Sequence, residues 1–175
     1  MTVHELINLS RYGELRNIAV AENDDAMLGY INLGILELSK RFPMFTEEAI
    51  ITIRDGKALY KLDGTDADVQ LSDPTKTFMW IVAVYTEVSV SSVKYVVQLP
   101  INEDDNINSI NTIGYNQVQI PAIKPAGDYI SILYVAAPRM LTLADLASPL
   151  PIPPQMIETL LHYMGYRGHE SVKGD

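Results

Sequence analysis

A stripe of apolar residues near the start of the chain is its clearest pattern. Its five members recur at alternating spacings of three and four residues: Leu28, Ile31, Ile35, Leu38 and Phe42. This spacing is the period of one face of an α-helix. Asn23 is a residue type that caps the start of a helix, and Pro43 cannot continue one. The pattern therefore predicts an amphipathic helix between residues 23 and 43, with its apolar face buried.

Two further helices are predicted at the two ends of the chain. Thr2 and Glu5 form a capping-box pattern ahead of a short helix that ends near Gly13. A proline-rich stretch over residues 149–154 is typical of a stiff, extended connector and leads into the last helix. The apolar face of that last helix consists of Ile157, Leu160, Leu161 and Met164.

Between these helices the pattern changes to that of β-strands. Stretches rich in β-branched and aromatic residues predict about six strands, over residues 47–54, 57–62, 77–90, 93–99, 116–120 and 129–136. Asp55-Gly56 predicts a type I′ hairpin between the first two strands, and Ser91-Ser92 a break between the third and fourth. Residues 63–74 and 102–115 are polar and are expected to form exposed loops.

The order of these elements predicts an α+β fold. We expect residues 1–43 and 150–175 to form an α-helical bundle, because each terminal helix must bury an apolar face. Residues 44–149 would form an inserted antiparallel β lobe, a small sandwich or barrel. Gly165 and Gly168 lie within the last helix, where they either permit close approach of another backbone or weaken the helix.

Composition and charge exclude several classes of protein. The chain of 175 residues has 47% hydrophobic residues and a net charge of −9, so it has a globular rather than a disordered composition. Its acidic excess and lack of a basic stripe argue against a protein that grips nucleic acid. The absence of cysteine excludes disulfides and thiolate metal sites. Its densest apolar run, residues 78–84, has the length of a strand, and its start lacks a secretory signal. We therefore expect assembly in a reducing cytoplasm without a membrane anchor.

Clusters that could carry chemistry have simpler interpretations. Glu158 and His162, followed by His169-Glu170, make a weak zinc pattern, and residues 63–68 make an incomplete calcium loop. Glu47 and Glu48 are adjacent on a strand and point to opposite faces. No nucleophile or phosphate-loop motif is present. The sequence therefore predicts no catalytic residue, no cofactor and no metal site.

The aromatic residues of the β lobe have two interpretations. Phe78 and Trp80 lie two positions apart on one strand, so we expect both on one face in the core, although they could instead form a sugar-binding platform. Tyr60, Tyr115 and Tyr129 lie near turns, where they could belong to a protein interface.

The terminal segments carry a resemblance to a known family. Four segments carry it: Leu15-Arg16-Asn17, the run Tyr30-Ile31-Asn32-Leu33-Gly34-Ile35-Leu36-Glu37-Leu38, then Arg41-Phe42-Pro43, and the stretch 163–169 after two prolines. These segments resemble the head-to-tail adaptor proteins of short-tailed bacteriophages. The resemblance covers about the first 43 and last 23 residues as pattern. Family members usually continue into a C-terminal arm, so we expect that arm to be absent, trimmed or shortened here.

The resemblance implies a structural virion protein of the neck or tail. It implies a homo-oligomeric ring of twelve copies between the portal protein and the tail nozzle or another tail protein. The helical lobe would dock on the portal, and DNA would pass through the channel without sequence-specific binding. An acidic wall suits that passage, because it has the same sign of charge as phosphate.

The contact residues expected from this role lie on the last helix and near the first. The candidates for portal or inter-subunit contact are Tyr163, Tyr166, Arg167 and His169, followed by Arg11 and Arg16. The candidates for facing the channel are Glu103, Asp104 and Asp105. Two alternatives stay open on the sequence alone: a carbohydrate-binding β-sandwich module with helical flanks, and a metal-dependent hydrolase.

Overall fold

The computed structural model describes residues 1–16, 18, 23–90, 93–121, 124–125 and 127–173, with the side chains of residues 89, 90, 93, 172 and 173 left aside. The chain divides into two compact units, one of Met1–Met44 with Pro138–Asp175 and one of Phe45–Ala137. The first is helical and the second is built of antiparallel sheets, which confirms the α+β class. The assignment of separate roles to two lobes stays a prediction. Asn17 and the predicted break at Ser91-Ser92 lie outside the described residues.

Among the described residues, the helical unit contains three α-helices: α1 (Val3–Tyr12), α2 (Asp24–Arg41) and α3 (Ile157–Lys173). The predicted caps are confirmed. Thr2 and Glu5 form a reciprocal capping box, and the Asn23 side chain accepts hydrogen bonds from the first backbone N–H groups of α2. These bonds satisfy donors that a helix start otherwise leaves unpaired. Short 3-10 turns cover Leu143–Asp145 and Pro154–Met156.

The apolar stripe of α2 is buried except at its end. Leu28, Ile31, Ile35 and Leu38 are buried, as the pattern predicts, but Phe42 is exposed. Phe42 is the C-cap residue, and its backbone is extended. Because the helix has already ended there, the side chain no longer follows the helical face.

Residues 138–149 bind the helices through hydrogen bonds to their own backbone groups, donated or accepted by α1 and α2. The buried Asn32 side chain accepts from the backbone N–H of Leu141 at 2.8 Å and donates to its carbonyl at 2.9 Å. Asp145 accepts from the Arg139 guanidinium at 2.6 Å and from Thr142, which lowers the pKa of the Asp145 carboxyl to about 2. The sequence pattern gave no indication of this Asn32 bridge.

The part of the β unit that the structure describes contains eight strands: β1 (Thr46–Thr52), β2 (Leu59–Lys61), β3 (Val69–Leu71), β4 (Phe78–Val90), β5 (Val93–Leu99), β6 (Asn111–Gly114), β7 (Gln117–Gln119) and β8 (Tyr129–Ala136). A five-stranded sheet has the order β3-β1-β8-β4-β5, and a three-stranded sheet has the order β2-β7-β6. All strand pairs in both sheets are antiparallel. Strands β3 and β6 lie in segments predicted as loops, so those two expectations were wrong.

The predicted hairpin at Asp55-Gly56 is also wrong. Gly56 has a positive φ of 71°, as a turn requires, but Asp55 does not, so the turn is not type I′. The two flanking strands do not pair. Strand β1 joins the five-stranded sheet and β2 joins the three-stranded sheet. The turn therefore carries the chain from one sheet to the other.

One apolar core contains residues from both sheets. It includes Ile51 and Ile132 of the larger sheet together with Val118 of the smaller one. This arrangement is that of a β-sandwich, in which the inward faces of two sheets share a core.

A β-bulge separates the two aromatic residues at the start of β4. Phe78 pairs with Ala136 and Trp80 with Val135, and the register shifts between these pairs. Because Ala136 and Val135 are adjacent on β8, their partners lie on opposite faces of the sheet. The expectation that Phe78 and Trp80 share one face was therefore wrong. Phe78 is in the core, where its ring lies 5.6 Å from that of Tyr134.

Candidate protein-binding surface

Helices α2 and α3 approach each other closely at a glycine. A Cβ atom placed on Gly34 would lie 2.3 Å from Leu160 Cδ1 and 3.0 Å from Tyr163 Cδ1. Leu160 is fully buried. The glycine therefore makes room for the Leu160 side chain. Gly168 of α3 does the same for Leu15, whose Cδ2 would lie 2.3 Å from an added Cβ. The last-helix glycines thus permit close packing, here with side chains.

A groove of about 490 Å³ runs beside this contact. We call it the α2–α3 groove, and its lining consists of Gly34, Glu37, Leu38, Arg41, Phe42, Met156, Thr159, Tyr163, Tyr166 and Arg167. The lining contains aliphatic, aromatic and sulfur-containing side chains together with two arginines. This combination is enriched at protein interfaces.

The α2–α3 groove contains both positive and negative side chains, and some of them bind neighbours on the same helix. The Lys40 ammonium donates to Glu37 at 2.6 Å, and this bond, together with the charges of Arg41 and Arg167, lowers the pKa of the Glu37 carboxyl. The Tyr166 hydroxyl donates to Glu170 at 2.5 Å, which raises the pKa of that phenol. Tyr166 is therefore a neutral hydrogen-bonding group at neutral pH.

The structure brings together three of the six predicted contact residues. Tyr163, Tyr166 and Arg167 line the α2–α3 groove. His169 lies elsewhere, because its Nε2 atom is 3.2 Å from the backbone carbonyl of Glu14. Gly165 also lies on that side of α3, where an added Cβ would be 3.1 Å from Glu14 Cβ. The contact role of all these residues stays a prediction.

The remaining two candidates lie outside the groove lining. The Arg11 guanidinium binds Asp24 at 2.6 Å and so joins α1 to the start of α2. Arg16 is exposed. The sequence pattern did not indicate that Arg41, Phe42 or Met156 line this groove, although the first two belong to the Arg-Phe-Pro run that carries the family resemblance.

The Tyr-Ile-Asn-x-Gly run on α2 has a structural explanation. The Tyr30 hydroxyl donates to Ser171 Oγ at 3.2 Å. Ile31 is buried, Asn32 holds the backbone of Leu141, and Gly34 admits Leu160. The run therefore joins α2 to the other parts of the helical unit and shapes one wall of the groove.

The side chains of the weak zinc pattern and of the incomplete calcium loop contact other side chains of the protein. His162 lies 3.6 Å from a Glu14 oxygen and 3.8 Å from a Glu158 oxygen. In the calcium-like loop, Asp66 and Asp68 both bind the Lys57 ammonium, at 2.6 and 2.9 Å. In the described part of the chain, no three or more His, Cys, Asp or Glu residues form a group that could hold a metal ion.

The candidate channel residues and the candidate interface tyrosines lie in the β unit. Glu103, Asp104 and Asp105 are exposed in one loop, where the Glu103 N–H donates to Ser109 Oγ at 2.9 Å. Tyr60 is fully buried, so its assignment to an interface was wrong, whereas Tyr115 and Tyr129 are exposed.

No helix among the described residues has the length and apolar character needed to cross a membrane.

Comparison with known proteins identifies the family. The family model described as SU10 adaptor protein matches residues 1–175, the whole chain. No curated protein matches it. The family model confirms the resemblance found in the terminal helices and extends it over the β unit. The family consists of structural components of phage virions. The chain therefore belongs to the SU10 adaptor protein family, a family of phage head-to-tail adaptors.

Proposed function

We propose that this adaptor forms a ring, of twelve copies by family resemblance, between the portal and the tail nozzle, and that the ring lines the channel through which DNA leaves. Its assembly takes place in the host cytoplasm, and its role is structural, without catalysis. The helical unit binds the portal through the α2–α3 groove. The observation that carries this proposal is the groove itself, which presents Tyr163, Tyr166 and Arg167 together.

The composition of the groove favours a protein partner. Phe42 and Tyr166 are exposed beside it and offer apolar surface that a partner can cover. Arg41 and Arg167 offer guanidinium groups that can bind carboxylates in two-pronged geometry. Tyrosine and arginine are also the residue types that most often dominate binding energy. The groove thus suits a portal segment with apolar and acidic side chains.

A pair of tyrosine variants tests the groove. Tyr166→Ala removes an exposed ring from the groove lining, whereas Tyr12→Ala removes an exposed ring from the end of α1, outside that lining. We expect Tyr166→Ala to weaken binding to purified portal rings by about tenfold or more, because a central aromatic anchor contributes about 2 kcal/mol or more. Tyr12→Ala should bind as the unmodified chain does. Isothermal titration calorimetry measures both, and equal affinities of the two variants would exclude the groove as the portal site.

The acidic character of the β unit supports a role in DNA passage. Residues 45–137 contain 12 acidic and 6 basic residues. A surface of the same sign as phosphate repels DNA, and salt screens this repulsion over about 10 Å at 0.1 M. The loop with Glu103, Asp104 and Asp105 is the candidate for the channel wall.

Neutralising one acid of this loop tests the channel assignment. We expect Asp104→Asn to slow genome release from purified virions at low salt, because each copy loses a negative charge that keeps DNA away from the wall. The difference should shrink as salt rises, since screening weakens the original repulsion. Asp55→Asn, at an exposed turn of the same unit, removes one charge elsewhere and serves as the control. Release rates are measured by fluorescence of a DNA-binding dye. Identical rates for both variants and the unmodified virion would remove the loop from the channel wall.

A further inference from the structure

The hairpin of β4 and β5 extends past the sandwich core with an apolar face uncovered. Cross-strand partners share a face, so successive pairs along the hairpin report how far the core covers it. In the pair Val84 and Leu99 both side chains are buried. In the next pair on that face Thr86 is buried but Val97 is 42% exposed. In the third pair Val88 is 37% exposed and Tyr95 is 52% exposed. The inward face of the larger sheet thus extends along the hairpin beyond the part that the sandwich core buries.

The same hairpin ends the larger sheet at an open edge. In the order β3-β1-β8-β4-β5, strand β5 pairs on one side only within the described part of the chain. Its residues 94–98 are exposed on both faces of the sheet, including Val96 on the outer face. A long, exposed edge with apolar side chains can pair with a strand of another chain, and monomers usually protect such edges with charge, proline or bulges. The described part of β5 contains one charged residue, Lys94.

Charge favours a second copy as the partner of this edge. The β unit carries a net charge of −6, so two copies repel each other over most of its surface. The only charged residues in the sequence from 84 to 99 are Glu87 and Lys94, and these two form an ion pair with each other. The hairpin is therefore a neutral, apolar segment that an equally acidic copy can approach without this repulsion.

The sheet also supplies a complementary edge. Strand β3 is the opposite end of the five-stranded sheet, and β1 is its only partner among the described strands. An interaction between the β5 edge of one copy and the β3 edge of the next uses two different surfaces. Such a head-to-tail contact repeats around a ring when its rotation closes.

We infer that the β4–β5 hairpin binds a second copy of this chain, with its β5 edge against the β3 edge of the neighbouring subunit. This inference rests on the proposed ring and specifies the contact that joins its subunits. Pairing at this edge brings the apolar row of Val97 and Tyr95 beside the β3 side of the neighbouring core, where Val69 and Leu71 lie. The backbone groups of both edges gain hydrogen-bond partners, as in other cases of strand addition.

Paired cysteines test this contact, because the chain contains no cysteine of its own. Gln70 lies on β3, and Val96 and Gln98 lie on β5; the cross-strand pairs place all three on the outer face of the sheet. Three strands separate β3 from β5, a distance of about 19 Å at the usual strand spacing. A disulfide requires Cα atoms within about 7 Å. The variants Gln70→Cys with Val96→Cys, and Gln70→Cys with Gln98→Cys, can therefore form only disulfides between subunits.

The variants are incorporated into virions of the parent phage by complementation, and the virions are then oxidised. We expect at least one double variant to give a ladder of covalent multimers on non-reducing gels. The three single variants should remain largely monomeric. Incorporation itself reports the proposed function, because it shows that the chain occupies the virion. Incorporated double variants that give no more multimer than the single variants would overturn the inference and leave the adaptor role intact.

Discussion

Gly34→Ala destabilises the helical unit, whereas Gly29→Ala, the same change in the same helix, stabilises it. Each change contributes about 1 kcal/mol through helix propensity, because alanine restricts the unfolded backbone more than glycine does. At Gly29 an added Cβ meets nothing within 4 Å, so only this gain remains. At Gly34 it would lie 2.3 Å from Leu160 Cδ1, and Leu160 is fully buried and packed. Overpacking of a core costs about 1–3 kcal/mol, and a cost above the low end of this range exceeds the gain.

The matched pair is measured by urea unfolding followed by circular dichroism at 222 nm, together with hydrogen exchange of the α2 and α3 amides. Gly34→Val should cost about 3 kcal/mol or more, because it adds a β-branched isopropyl group, two methyl groups more than alanine. Leu160→Ala costs about 2–5 kcal/mol alone, through the cavity that it leaves. Combined with Gly34→Ala it should cost clearly less than the sum of the two, because the clash disappears. Additive effects, or equal stability of the Gly34→Ala and Gly29→Ala chains, would show that Gly34 is not a packing requirement.

The helices were predictable because their signals are local. The capping residues Thr2, Glu5 and Asn23 and the period of the α2 stripe depend only on neighbouring positions, and the structure contains them as expected. Phe42 continues the period but lies beyond the last helical turn, so its burial was not predictable from the spacing alone. The Asn32 bridge to Leu141 joins positions 109 residues apart, and no local pattern indicates it.

The strands were predictable where they are long and the pairings were not. Strand β8 follows its apolar pattern from end to end, but β3 and β6 have only three and four residues in polar surroundings. The Asp55-Gly56 turn exists, yet the partner of each flanking strand is chosen by packing between distant segments. The bulge after Phe78 moved Trp80 to the other face, and a period of two does not reveal such an extra residue.

The groove depends on how two helices pack, so its outline needed the structure. Three of the six predicted contact residues share it because Tyr163, Tyr166 and Arg167 follow the three-and-four spacing of one helical face. His169 lies one position short of 170, the next position on that face, and contacts Glu14 instead. Gly34 belongs to the family pattern, but that pattern did not indicate its place in the groove wall, since a glycine within a helix has several interpretations.

Two buried tyrosines of the β core should respond in opposite ways to loss of the hydroxyl. The Tyr60 hydroxyl accepts from the Arg54 N–H at 2.9 Å and donates to the Lys57 carbonyl at 3.2 Å, so it fastens the turn that carries the chain between the sheets. The Tyr134 hydroxyl is buried without a hydrogen-bond partner among the described residues, and burial raises its pKa. Both residues are fully buried.

Tyr60→Phe should lower the free energy of unfolding of the β unit by about 1–3 kcal/mol, because two backbone groups lose their partner. Tyr134→Phe should leave it unchanged or raise it, because a desolvated hydroxyl is removed while the ring contact with Phe78 is kept. Trp80 is the only tryptophan and lies in this unit, so its fluorescence during urea unfolding measures both variants. A loss at Tyr134 equal to that at Tyr60 would mean that the Tyr134 hydroxyl does have a partner in solution. The bonds from Tyr60 to the turn would then not explain a difference in stability between the two variants.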